Sequence, residues 1–158
     1  MDLETALQSA EALLQPLAVE IKRPEIERVD VYIALDNLKP AVQALVDAHW
    51  GYLAAITGVD KPAPAAEGAA LTGDVEVLYT FANGGALATL RVRVPYTDAK
   101  VPTICDIIPA ATLFERELIE MLGVDCLGTP DPGHLILPDE WPADVYPLRK
   151  SFTGLNQE

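Results

Sequence analysis

The run from Val75 to Val94 constrains the fold more than any other part of the chain. Val75, Val77 and Tyr79 alternate with other residues, Asn83-Gly84-Gly85 turns the chain, and Leu87, Thr89, Arg91 and Arg93 interleave with Ala88, Leu90, Val92 and Val94. A period of two sends successive side chains to opposite faces of a sheet, and an Asn/Gly turn supplies the backbone conformations that a tight hairpin needs. The segment is therefore expected to form an antiparallel hairpin.

Helical periods flank it. Leu3, Ala6, Leu7, Ala10, Leu13, Leu14 and Leu17 recur at three- and four-residue steps behind a capping Asp2, predicting an amphipathic helix that ends near Pro16. Val19 and Ile21 alternate until Pro24 breaks the run, and Val29, Val31, Ile33 and Leu35 alternate again, which predicts two adjacent strands. Asp36 or Asn37 is the expected cap of a second helix. Pro40 fits its first turn, Leu38, Ala41, Val42, Leu45, Val46 and His49 form its stripe, and it stops before Gly51. Tyr52 to Val59 is apolar or small with β-branched Ile56, Thr57 and Val59, which suggests a buried strand closing at Asp60; Lys61 to Thr72 is an exposed connection. A third helix begins near Pro109 and places Ala111, Leu113, Phe114, Leu118, Ile119, Met121 and Leu122 on its apolar side up to Gly123.

Beyond Gly123 the chain is proline-rich and loses its period. Leu135-Ile136-Leu137, Trp141, Tyr146, Leu148 and Phe152 carry too much apolar area for a disordered segment and too little periodicity for a separate core, so this stretch is expected to lie across another surface. The fold class is α+β: two layers, with helices packed on a mainly antiparallel or mixed sheet and an extended Pro-rich C-terminal tail. Residues 1–123 are expected to form the α+β domain and 124–158 its docking tail.

Composition narrows the function. A chain of 158 residues is expected to be one domain, and no stretch approaches the roughly 20 apolar residues of a membrane-spanning helix. The amino terminus lacks the pattern of a secretory signal, so a cytoplasmic address is expected. The formal charge of −13, from 24 acids and 11 bases, opposes binding to phosphate backbones and anionic lipid, so nucleic acid is not an expected partner. Cys105 and Cys126 show no CxxC spacing and have only His49 and His134 to help them, so two free thiols and no metal site are expected.

On the third helix Glu117 and Glu120 lie one turn apart, and Arg116 and Glu120 form an i,i+4 pair able to attract each other. An enzyme would use Glu117 and Glu120 as acid and base. The sequence supplies no His-Asp orienter, nucleophile elbow or glycine-rich phosphate loop, so a solvated helix face with an ordinary ion pair is the plainer reading.

The order Ile107-Ile108-Pro109-Ala110-Ala111, Phe114-Glu115-Arg116-Glu117, Met121-Leu122-Gly123-Val124, Pro130-Asp131, Leu135-Ile136-Leu137-Pro138, Glu140-Trp141-Pro142 and Tyr146-Pro147-Leu148-Arg149-Lys150 carries a family resemblance. It resembles the thirty-kilodalton-type peripheral-arm subunit of NADH-quinone oxidoreductase, respiratory complex I, with its homologues in membrane-bound nickel-iron hydrogenases. The resemblance implies a scaffold subunit with no catalytic, cofactor-binding or metal-binding residues of its own. It implies partners too: the large quinone-site or nickel-iron-type subunit and a neighbouring iron-sulfur subunit, on the inner face of the cell membrane, which the chain meets only indirectly. Glu115, Arg116, Glu117, Asp131, Trp141, Tyr146, Pro147, Leu148, Arg149 and Lys150 are the expected partner-binding residues, Arg149 and Lys150 meeting acidic or carbonyl groups. The sequence departs from the family at Leu113, where a tryptophan is common, and at Pro132-Gly133-His134, which replaces basic residues. The segment from Glu140-Trp141-Pro142 to Lys150 looks closer to the hydrogenase-type members. Alternatives are a tail folded back on its own sheet, a stand-alone enzyme using Glu117 and Glu120, and a stand-alone binding module that kept the fold.

Overall fold

The structure, a computed structural model, describes residues 2–155. Helix α1 (Leu3–Leu14) opens on Asp2, whose carboxylate accepts hydrogen bonds from the Thr5 N–H at 3.0 Å and the Thr5 hydroxyl at 2.7 Å. Its buried stripe is Ala6, Leu7, Ala10 and Leu14. Strands β1 (Ala18–Glu25) and β2 (Arg28–Ile33) follow as an antiparallel pair. β1 runs through Pro24 instead of breaking there, because β1 is an edge strand, where a missing N–H need not cost a ladder bond.

Helix α2 (Leu38–Asp47) buries Leu38, Ala41, Val42 and Leu45. The expected side-chain cap is not made: Asn37 stands at the capping position, but its amide donates to the Leu17 carbonyl at 3.1 Å. Strand β3 (Tyr52–Pro62) leads through the connection to β4 (Gly73–Asn83) and β5 (Ala86–Pro95). These last two form the expected hairpin: Val75 faces Val94, Val77 faces Val92, Tyr79 faces Leu90, and Asn83 faces Ala86 across a Gly84-Gly85 tip. Strand β6 (Lys100–Pro102), helix α3 (Ala111–Leu122) and strand β7 (Asp125–Leu127) complete the regular elements. β6 and β7 pair in parallel and are three residues each, too short to show a period in the sequence.

The main sheet runs β1-β2-β5-β4-β3 and is mixed because β2 and β5 pair in parallel while the other neighbours are antiparallel. Val29 and Val31 of β2, Leu90 and Val92 of β5, and Val77 and Tyr79 of β4 lie in register on one face and build a continuous core with the helices. β3 corrects an expectation. It lies at the sheet edge, with only Ile56 and Asp60 buried along it, so its apolar run does not mark a central strand. Gly58 instead gives α3 room to lie against it: a Cβ there would stand 2.1 Å from a Leu122 methyl and 2.8 Å from a Leu118 methyl.

The opposite face of the sheet carries an ionic network. Asp30 and Glu76 are 2% and 1% exposed, and Arg91 bridges them at 2.5 and 2.9 Å. Arg28 stands 3.1 Å from Asp30, and Arg93 and Lys61 stand 3.5 and 3.8 Å from Glu76. Burial pushes the Glu76 carboxyl upward, but the hydrogen-bonded Arg91 and the nearby charges of Arg93 and Lys61 outweigh it and hold the group below its ordinary range. Replacing Arg91 by Ala would leave two buried carboxylates without their shared cation. Urea titration of Arg91→Ala should show a loss of about 3 kcal/mol, the lower end for breaking buried pairs because Arg91 is itself partly exposed; a loss below about 1 kcal/mol would contradict this account of the network.

Candidate functional site

Helix α3 and the segment after β7 form the surface on which most of the expected site residues fall. The period of α3 decides where each points. Ala111, Glu115, Leu118 and Leu122 share the inward stripe, and this corrects the expectation for Glu115. Its side chain is 1% exposed and cannot reach a partner. The carboxylate accepts from the Thr103 hydroxyl at 2.8 Å, the Ile104 N–H at 2.8 Å and the Cys105 thiol at 3.3 Å, so it pins the loop before α3 to the helix.

On the adjoining face of the helix, Arg116 and the buried Glu120 lie under the tail, and they do not pair with each other as their spacing suggests. Arg116 donates to the carbonyls of Gly133 at 2.9 Å and His134 at 2.6 Å, with Asp131 at 3.3 Å from its guanidinium. Glu120 accepts from the next three backbone N–H groups: Leu135 at 3.0 Å, Ile136 at 2.8 Å and Leu137 at 3.2 Å. His134 Nδ1 lies 3.2 Å from the same carboxylate. The cation takes carbonyls and the anion takes N–H groups of one short segment, so its backbone polarity is matched residue by residue. A curl of successive N–H groups around an anion is a strong arrangement because each bond is charge-assisted. Burial pushes the Glu120 carboxyl upward; the N–H groups of Ile136, Leu135 and Leu137 and the His134 contact more than offset it, leaving the group below its ordinary range.

A second crossing fixes the end of α3. Gly123 terminates the helix with φ 66°, and its N–H returns to the Ile119 carbonyl at 2.9 Å. A Cβ there would stand 2.4 Å from the Tyr146 ring, so the absent side chain is what admits the tyrosine. The Leu148 N–H donates to the Met121 carbonyl at 3.0 Å and Arg149 Nε to the Leu122 carbonyl at 2.5 Å, satisfying helix-end acceptors. The Arg149 guanidinium lies 4.4 Å over Tyr96 and 5.9 Å over Tyr146. Asp60 gathers the rest: it accepts from the Lys150 N–H at 2.8 Å and the Tyr96 hydroxyl at 2.5 Å, with Arg149 at 3.8 Å. Burial and the bond to Asp60 push the Tyr96 phenol up to about 12.

Arg149, expected to meet a partner's groups, therefore binds a carbonyl of its own chain, and Lys150 is held by its own chain through its backbone N–H. Trp141 donates to the Val145 carbonyl at 2.7 Å and packs tilted against Phe152 at 6.2 Å. Pro147 is half-buried. Leu148 stays outward, 56% exposed, with Leu113, Ile136 and Leu135 at 53, 59 and 41%. Glu117 lines a cleft of about 70 Å³ with Thr57, Met121 and Leu148, whereas Glu120 faces the tail, so the two carboxylates do not converge on a common substrate site. No sequence pattern marks the roles of Tyr96 and Thr103, and the position of Asp60 at the close of a strand is the one visible signal for that residue.

Residues 31–158 match the family model described as the respiratory-chain NADH dehydrogenase, 30 Kd subunit, and the chain belongs to this family. It is 31% identical to hydrogenase-4 component G of Escherichia coli over 95% of its own length, and spans 28% of that relative. It is 28% identical to NADH-quinone oxidoreductase subunit 5 of Thermus thermophilus, covering 96% of this chain and 72% of that one. Among solved structures, the trypsin-resistant fragment of Nqo5 superposes with a TM-score of 0.56 at 26% identity, covering 83% of this chain and 99% of the fragment.

Two outcomes follow for the clasp. In Glu120→Gln, backbone amides of Leu135, Ile136 and Leu137 should exchange about ten-fold faster or more, while Val77 and Tyr79 in the sheet keep their rates; unchanged exchange at 135–137 would show that the carboxylate does not hold the tail. The pH dependence has a fixed sign. A carboxyl depressed in the folded state stabilises it above its unfolded pKa, and that contribution is lost as pH falls through the lower folded value. Tail amide protection should therefore persist at neutral pH and fall in acid, below about pH 4.3, the ordinary glutamate value, as monitored by exchange at stepped pH.

Proposed function

We propose that the chain is a non-catalytic scaffold subunit of a membrane-associated electron-transfer complex of the NADH-quinone oxidoreductase or nickel-iron hydrogenase type. In this reading the face formed by α3 and the tail docks onto the large quinone-site or nickel-iron-type subunit, beside an iron-sulfur subunit. The names of its relatives, a hydrogenase component and a quinone oxidoreductase subunit, support the setting. No helix among the described residues is long and apolar enough to cross a membrane, which agrees with a chain that meets the membrane through its partners. Placement on the cytoplasmic side belongs to the same proposal.

The observation that carries the reading is a contrast within one short segment. Its backbone is tied down by Arg116 and Glu120, yet Leu135 and Ile136 point to solvent, as do Leu113 on the helix and Leu148 at the second crossing. Fixing large apolar side chains in water gains nothing for the isolated chain. Fixing them before association lowers the ordering cost of binding and presents anchors of the kind that interface cores use. The partner-binding set that follows is Leu113, Glu117, Leu135, Ile136 and Leu148, with Arg116, Glu120, Asp131, Tyr146, Pro147 and Arg149 holding the surface in shape.

The test is a paired substitution at exposed positions. Ile136→Asp with Leu148→Asp should leave the melting temperature of the isolated chain unchanged and reduce recovery of partner subunits in affinity purification from the native host by about ten-fold or more. Full recovery would overturn the docking assignment.

A further inference from the structure

Between α3 and the tail lies a cleft of about 310 Å³ that the contacts above leave open. Trp141, Tyr146 and Ile119 form its apolar walls, and Asp125 and Asp144 stand on its lining, both exposed. Asp125 lies opposite Lys100 in the β6–β7 pair, and the Lys100 ammonium is 2.9 Å from Asp98; Asp144 is in no ion pair among the described residues, and the lining itself contains no lysine or arginine. His134 also lines the cleft, with Nδ1 turned to Glu120. The walls are fixed. The Trp141 indole is held by Val145 and Phe152, Tyr146 sits on Gly123 and donates to Asp144 at 3.3 Å, and Asp144 keeps a left-handed backbone with φ 60°.

We propose that this cleft receives an arginine side chain from the partner subunit; the inference rests on the docking reading above and names the chemistry at one point of it. Two aromatic rings and two carboxylates, on a lining that holds no lysine or arginine, form a site for a planar cation. A guanidinium lies flat on rings, keeps its charge at all working pH values, and offers several donors in a fork that suits carboxylates. The volume falls at the low end of the about 300–1,000 Å³ typical of small-ligand sites, and a side chain anchored on another protein fills such an open cleft without having to be enclosed by it. The field points the same way: the chain carries −13 overall and the cleft shares that sign, so a second copy of this acidic chain is disfavoured and a cationic group on a different subunit is drawn in.

The experiment uses the assembly purified from the native host, with full-length wild-type chain and the variant Asp125→Asn with Asp144→Asn. Both positions are exposed, so the substitutions change charge and not packing. In wild type, one partner arginine should be shielded from phenylglyoxal, read by mass spectrometry, and the variant should raise its labelling by about ten-fold and speed partner dissociation by a similar factor. Equal labelling of every partner arginine in both assemblies would overturn the proposal while leaving the docking surface intact if the Ile136→Asp, Leu148→Asp pair still reduces recovery about ten-fold. Shielding of a partner lysine from acetylation, or a dimer of this chain that the variant dissolves, would also overturn it. A wild-type chain that recovers no partner removes the docking reading and this inference together.

Discussion

The site depends on one buried anion. Glu120 has an interior setting, forms no ion pair with a lysine or arginine among the described residues, and is stabilised by three consecutive N–H groups of the tail and His134. Removing water from a carboxylate is costly unless hydrogen bonds replace it. The helix therefore draws the tail onto itself, and the tail's irregular backbone finds donors and acceptors that a disordered segment would leave to water. Arg116 does the same with opposite sign on the preceding carbonyls.

That clasp works because α3 is itself held in place. Gly58 lets Leu118 and Leu122 press onto the edge strand, Glu115 ties the preceding loop to the helix, and Gly123 stops it where Tyr146 can pack. Arg149 and Asp60 then join the tail to the helix end and to β3. The result is a surface assembled from a helix, an edge strand and a chain without regular structure, in which polar groups point inward to each other and several large apolar side chains point out. Such an inversion is poor design for an isolated protein and sound design for a subunit.

Much of the fold was legible because periodicity and turn chemistry act locally. The Asn83-Gly84-Gly85 hairpin and the stripe of α1 are decided within a few residues, and the structure has them. What escaped was decided by neighbours. β3 reads as a buried run yet lies at the edge, since its small residues make room for α3 and do not mark a central strand. Arg116 and Glu120 read as a pair by spacing, but backbone groups 15 to 18 residues away compete better for them than each does for the other. Arg149 reads as a cation for a partner's acidic or carbonyl groups, and only the fold brings Leu122, Tyr96 and Asp60 of its own chain around it. Glu115 could have been read as buried from its place in the stripe with Ala111, Leu118 and Leu122. Family resemblance marked the region without separating residues that hold the surface from those that present it.

The central claim, that the helix and tail face is the docking surface, is tested most directly by comparing amide hydrogen exchange of the isolated chain with that of the same chain in its purified native assembly. The account predicts added protection concentrated in residues 113–122 and 133–149, with rates in β1 and β2 unchanged. Added protection in β1 and β2, with the α3 and tail segments exchanging as they do in the isolated chain, would contradict it.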